Sequence, residues 1–158
     1  MTSSPAILFV CLGNTCRSPL AEAAFRKAAA EAGLMAEADS AGTAAYHIGS
    51  APDTRSIAVA AQNGADIAGY RGRQIAPEDY HRFTHIFALD SANLRDIRRL
   101  APDAATATVA LLLDEIDSRR GADVADPYYG DAAGFAVTWA EVDAAARALV
   151  RRLMAEEP

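Results

Sequence analysis

An apolar run that stops at a polar, glycine-containing turn and resumes as a helical pattern constrains this chain more than any other feature. Ala6-Ile7-Leu8-Phe9-Val10 is short, rich in branched residues and free of charge, as in a strand buried on both faces. Cys11-Leu12-Gly13-Asn14-Thr15-Cys16-Arg17-Ser18 follows, and Pro19-Leu20-Ala21-Glu22-Ala23-Ala24-Phe25 reads as a helix. In a strand-to-helix turn successive backbone N–H groups can aim at one point, and the partial positive charge of the helix N-terminus adds to them. A phosphate-sized anion is held there without a lysine. Gly13 helps the tight path, and the spacing Cys-x5-Arg lets the turn curl until Cys11 and Arg17 face the same anion.

That pairing favours a nucleophile. A cysteine among backbone donors, a helix N-terminus and a guanidinium is expected to act as a thiolate at neutral pH. Arg17 offers planar donors that match two phosphate oxygens at once and keeps its charge when buried. A free cysteine is also commonly a small interior residue, but Arg17 at the matching offset argues against that here. A cation at a helix N-terminus is itself unfavourable unless an anion sits between.

The run Cys11-Leu12-Gly13-Asn14-Thr15-Cys16-Arg17-Ser18-Pro19, together with Asp126-Pro127-Tyr128-Tyr129-Gly130, closely resembles the low-molecular-weight protein tyrosine phosphatases. The resemblance continues through Asp39-Ser40-Ala41-Gly42-Thr43, Pro52-Asp53, Arg73-Gln74-Ile75 and Asp90-Ser91-Ala92-Asn93-Leu94-Arg95-Asp96, and so covers essentially the whole chain. It implies phosphotyrosine hydrolysis through a phosphocysteine on Cys11, with Arg17 clamping the phosphate and Asp126 as general acid and then base. It also implies a phosphotyrosine-bearing protein as partner, inorganic phosphate as product, and a cup made of Leu12, Gly13, Asn14, Thr15, Cys16 and Ser18. In the family the Ser18 hydroxyl donates to the nucleophilic sulfur; read by itself, Ser18 is an ordinary helix N-cap. Asn14 resembles the residue that pins the loop, with Ser40 as partner; where the family often has a histidine in that network, this chain has Tyr70.

Asp126 precedes a proline, which pushes its backbone out of the helical region and lets the side chain project from an extended loop. Expelling a phenolate needs a proton that Cys11 cannot give, and a carboxylic acid over the leaving oxygen can supply it. Tyr128 and Tyr129 then form one wall of a deep slot. Tyr46 matches the family's aromatic wall residue on the opposite side, and Leu12 and His47 line the rim. Such depth excludes phosphoserine, whose side chain is too short to reach the bottom. Cys16 reads either as a small loop residue or as the partner that captures an oxidised Cys11 as a disulfide.

At 158 residues, with 51% hydrophobic and 23% charged residues, the chain is expected to be one folded domain, 1–158. A net charge of −6 with only short arginine pairs argues against nucleic acid. No signal peptide and no bilayer-length apolar run are recognisable, so no membrane partner and a cytoplasmic location are expected, with signal-less secretion left open. Two cysteines make no disulfide framework, and the three histidines lack ligand spacing, so neither metal nor cofactor is expected. The alanine-rich composition is in keeping with a bacterial source.

The remaining pattern alternates. A helix over 19–32 is closed by Gly33, with Glu22, Arg26, Lys27 and Glu31 on its outer side. Residues 36–42 form a strand, Asp53 to Asn63 a helix with Asp53 as N-cap, and Pro77 to Arg82 a short turn. His85 to Leu89 is a strand, followed by a helix capped by Ser91. Thr108 to Leu112 is a fourth strand, the stretch from there to Asp126 has no assignment, and Phe135 to Leu153 is a terminal helix. Alternation implies an α/β fold, a single-domain four-stranded parallel sheet with helices on both faces. The order 2-1-3-4 comes from the family resemblance, and it sets the phosphate-binding loop after strand 1 at the crevice where chain direction diverges.

Two other functions fit such a cup. Related arsenate reductases relay a disulfide outward through later cysteines, and this chain has none beyond residue 16. A non-catalytic phosphopeptide-binding module is expected to have lost Cys11 or Asp126, and both are present.

Overall fold

All six residues of β1, Ala6–Cys11, are buried, because helices cover both faces of the sheet in this computed structural model, which describes residues 4–156. β2 (Glu37–Gly42), β3 (His85–Ala88) and β4 (Thr108–Leu111) complete a parallel sheet in the order β2-β1-β3-β4. β1 is central, with Cys11 opposite Gly42 and Val10 opposite both Ala41 and Ala88.

Alternate residues of β1 serve two cores, as the two-residue strand period requires. Ile7, Phe9 and Cys11 face α1 (Arg17–Ala32), α2 (Thr54–Gln62) and α5 (Ala132–Glu156). Ala6, Leu8 and Val10 face α3 (Asp79–Arg82) and α4 (Ser91–Leu100), meeting Tyr80 and Ile97. The predicted stripe on α5 is buried at Phe135, Trp139, Val142, Ala146, Leu149 and Leu153, and Thr138, Ala145 and Val150 widen it.

Four local expectations are corrected. Ser18 is not the N-cap of α1: the helix opens after Cys16 without a side-chain cap, and Ser18 lies inside the first turn. Asp90, not Ser91, caps α4, its carboxylate accepting from the Asn93 N–H, because a carboxylate one residue earlier has the reach to that donor. Glu22 is buried rather than on the outer side of α1, held by Ser40 from β2 and by Arg26. Leu112 leaves the strand and opens a 3-10 turn, Leu112–Glu115, which with Asp117–Arg119 fills much of the unassigned stretch. Gly33 ends α1 with φ 74°, and Asp53 caps α2 by accepting from Arg55 N–H.

Candidate active site

The turn after β1 is held from outside by its carbonyls. Thr43 N–H donates to Cys11 O at 2.9 Å, Ala44 N–H to Leu12 O at 3.0 Å, and Asp53 N–H to Thr15 O at 2.9 Å. Ser56 Oγ reaches Cys16 O at 3.4 Å. With those carbonyls turned out, the N–H groups of residues 12–16 find no protein acceptor among the described residues. Inward-facing donors at a helix N-terminus make an anion cup.

Behind the cup a polar chain fixes the proton directions. Arg73 N–H donates to Asn14 Oδ1 at 3.0 Å, which sets the amide so that Nδ2 donates to Ser18 Oγ at 2.8 Å and to Ser40 Oγ at 3.0 Å. Ser40 in turn donates to Glu22 Oε1 at 2.9 Å. Ser18 Oγ, which accepts from Asn14, sits 3.0 Å from Cys11 Sγ with its own proton free to turn to an ionised sulfur. Asn14 adopts φ 58°, a left-handed conformation to which Asn is better suited than most residues. Tyr70 makes no hydrogen bond to Asn14, Ser18 or Ser40 among the described residues and lies instead beside Glu22 and Arg26. Burial, with Glu22 nearby, pushes its hydroxyl pKa up to about 12. Burial likewise raises the Glu22 carboxyl, against the opposing pull of Arg26 and Ser40.

Arg17 is buried, and its Nη1 donates to Asp90 Oδ2 and to the Val124 carbonyl, both at 2.8 Å. Burial works against its charge, but the Cys11 sulfur, Asp90 and Asp126 outweigh that and keep it cationic. Asp126 comes from the loop before α5, its side chain 47% exposed and its Oδ2 3.7 Å from Arg17 Nη2. That is an ion-pair distance, too long for a hydrogen bond.

These groups open onto one cavity of about 270 Å³, lined by Cys11, Leu12, Gly13, Thr15, Cys16 and Arg17 at its base. Tyr46, His47, Asp126, Tyr128 and Tyr129 complete the lining. Of the residues that the sequence assigned to catalysis or substrate binding, Asn14 and Ser18 do not line it: both are buried behind the turn, where Asn14 donates to Ser18 and Ser18 meets the sulfur. Tyr46 and Tyr129 are 74% and 94% exposed, so both rings meet the cavity from the solvent side. Cys16 is buried and free, and burial pushes its thiol pKa up to about 11. Among the described residues no three His, Cys, Asp or Glu side chains gather as metal ligands would.

Sequence reasoning left out three residues that shape the cavity. Asp90 is the anchor of Arg17, and its signal was a carboxylate at the carboxyl end of β3, the strand beside β1 in this order. Gly72 pairs with the segment bearing Tyr46 and His47, through Gly49 N–H to Gly72 O and Gly72 N–H to Ser50 O, both 2.8 Å. Arg55 bonds the carbonyls of Tyr128 and Gly130. Nothing in the local pattern of either residue announced this.

Comparison with known proteins agrees with this geometry. Residues 6–158 match the family model described as low molecular weight phosphotyrosine protein phosphatase. The chain is 44% identical over 138 residues to the low molecular weight phosphotyrosine protein phosphatase of Schizosaccharomyces pombe, covering 85% of this chain and 88% of that one. The crystal structure of YfkJ from Bacillus subtilis superposes with a TM-score of 0.91 at 35% identity, over 99% of both chains. A Drosophila arginine phosphatase superposes with a TM-score of 0.89 at 28% identity, over 96% of this chain and 99% of that one. Matches that span nearly the whole chain in both sequence and fold show its descent: this chain belongs to the low molecular weight phosphotyrosine protein phosphatase family.

Proposed function

We propose that the chain, 1–158 as one domain, is a protein-tyrosine phosphatase that works through a phosphocysteine. The observation that carries this is the convergence of Cys11, Arg17 and Asp126 on one cavity with aromatic walls. The phosphate of a phosphotyrosine side chain seats against the N–H groups of residues 12–16, and Arg17 takes two of its oxygens. Cys11 sulfur attacks phosphorus while the bond to the phenol oxygen breaks. Asp126 gives that oxygen its proton, a role typically worth about 10²- to 10⁴-fold. The carboxylate left behind then takes a proton from water as the water oxygen attacks phosphorus and the sulfur leaves. Inorganic phosphate is released and both groups return to their starting states.

Ser18 steadies the sulfur in both steps, since donating a hydrogen bond favours the anionic nucleophile and the anionic leaving group alike. The preorganised N–H groups favour the trigonal phosphoryl array in transit. Tyr46, Tyr128 and Tyr129 favour a flat aryl group between them. A cytoplasmic, bacterial setting belongs to the same reading, supported by two free thiols and the alanine-rich composition. No helix among the described residues is long and apolar enough to cross a membrane.

The test is hydrolysis, without added metal, of a phosphotyrosine peptide, a phosphoserine peptide, a phosphoarginine peptide and arsenate with thiol. Phosphate release from the first substrate, abolished by Cys11→Ser, is the expected result. Preference for phosphoarginine would move the assignment toward the Drosophila neighbour, and thiol-dependent arsenate reduction toward the arsenate reductases. A fully active Cys11→Ser protein would refute the mechanism.

A further inference from the structure

Asp126 and the cup come from distant parts of the chain, yet one short segment touches both the cup and the loop that bears Asp126. The start of α2 holds the cup through Asp53 N–H to Thr15 O and Ser56 Oγ to Cys16 O. From the same turn Arg55 reaches the other way. Its Nη2 donates to Tyr128 O at 2.9 Å and its Nη1 to Gly130 O at 3.0 Å. Asp53 keeps the guanidinium in plane by accepting from Nε at 3.0 Å and from Nη2 at 2.9 Å. The guanidinium also lies over the Phe135 ring at 4.4 Å, against the first turn of α5.

The loop it grips has little else to hold it. Residues 126–130 form neither strand nor helix, and inside the loop two bonds set the turn, Tyr128 N–H to Asp126 Oδ1 and Gly130 N–H to Pro127 O. Those bonds shape the turn, and the Asp126–Arg17 ion pair at 3.7 Å is its side-chain link to the cup. Arg55 adds the backbone attachment: its planar fork makes four hydrogen bonds, to two carbonyls and both oxygens of Asp53, where a lysine has three donors.

We propose that Arg55, oriented by Asp53, is a positioning residue that fixes the height of Asp126 above the cup. It touches neither substrate nor reacting atom, and it acts through the backbone of residues 128 and 130. The inference rests on the reading of Asp126 as general acid. A carboxyl group displaced by about 1 Å loses much of its proton-transfer advantage, a cost that can reach about a hundredfold.

A leaving-group series separates this role from a merely structural one. Phenyl phosphate needs a proton on its departing oxygen, whereas a nitro-substituted aryl phosphate departs readily as the anion and needs little help. Arg55→Ala should lower kcat/KM for phenyl phosphate about tenfold more than for the nitro substrate, while the inhibition constant of inorganic phosphate stays within about twofold. Arg55→Lys, which keeps the charge but not the fork, serves if the alanine variant folds poorly, and it should show a smaller tilt in the same direction. An equal loss on both substrates, or none, overturns the inference. Asp126→Asn is run beside it: if that variant shows no leaving-group dependence, the acid assignment itself fails and the role of Arg55 falls with it.

Discussion

A methyl group on the Cα of Gly72 would overlap the carbonyl oxygen of His47. No side chain fits there, and the approach is close because Gly72 exchanges backbone hydrogen bonds with Gly49 and Ser50 on the segment bearing Tyr46 and His47. Gly72→Ala must therefore push that wall away from the slot. The expected outcome is KM for an aryl phosphate raised several-fold, with inhibition by inorganic phosphate unchanged because the cup is untouched. A stability loss of about 1–3 kcal/mol should accompany it in urea unfolding.

Ser18→Ala removes the hydroxyl that faces Cys11 Sγ and leaves Asn14 Nδ2 short of one acceptor. Losing a hydrogen bond to a charged group costs about 1.5–3 kcal/mol, so kcat should fall about ten- to a hundredfold. Steady-state and pre-steady-state phosphate release measure it. An unchanged kcat would show that the sulfur needs no donor.

Cys16 is held as the neutral thiol by burial, its pKa about 11. Iodoacetamide at pH 7 should accordingly label one cysteine, Cys11, and inorganic phosphate should slow that labelling by filling the cup. Peptide mass spectrometry assigns the site. Comparable labelling of Cys16 would contradict the buried, unionised thiol described here.

Asp53 is held below the usual carboxylate range, first by its hydrogen bond from Arg55 and against a smaller opposing effect of burial. A carboxyl group whose folded pKa is depressed adds stability above its unfolded pKa, and that stability is lost as pH falls through the folded value. Asp53→Asn keeps an N-cap but not the ion pair. At pH 7 it should be less stable than the parent by up to about 1 kcal/mol, the range for partly exposed pairs. The gap should close as the solution is acidified past the carboxylate range, read by urea unfolding at a series of pH values.

What was legible in the sequence follows the range of the forces involved. The turn after β1 could be read because a strand, a glycine and a helix start lie within a few residues, and the stripe on α5 because its period is unbroken. Glu22 was misread because its partner, Ser40, lies on β2, and no local pattern shows a carboxylate being satisfied from another element. The Ser91 cap failed by one residue, since Asp90 offers equally good chemistry. The stretch after β4 resisted assignment because 3-10 turns of three or four residues have no periodicity to detect. Arg55 stayed hidden because Asp53 and Arg55 look like any helix start until residues 128 and 130 are brought beside them.

Arg17 takes its anchors from Asp90 and from Val124, segments that lie well beyond it in the order of synthesis. On the ribosome, then, the amino-terminal half can emerge with its thiol and its cluster of N–H groups and still lack a fixed guanidinium. A nascent chain that has not yet reached Val124 therefore lacks one of the two acceptors that hold the Arg17 guanidinium.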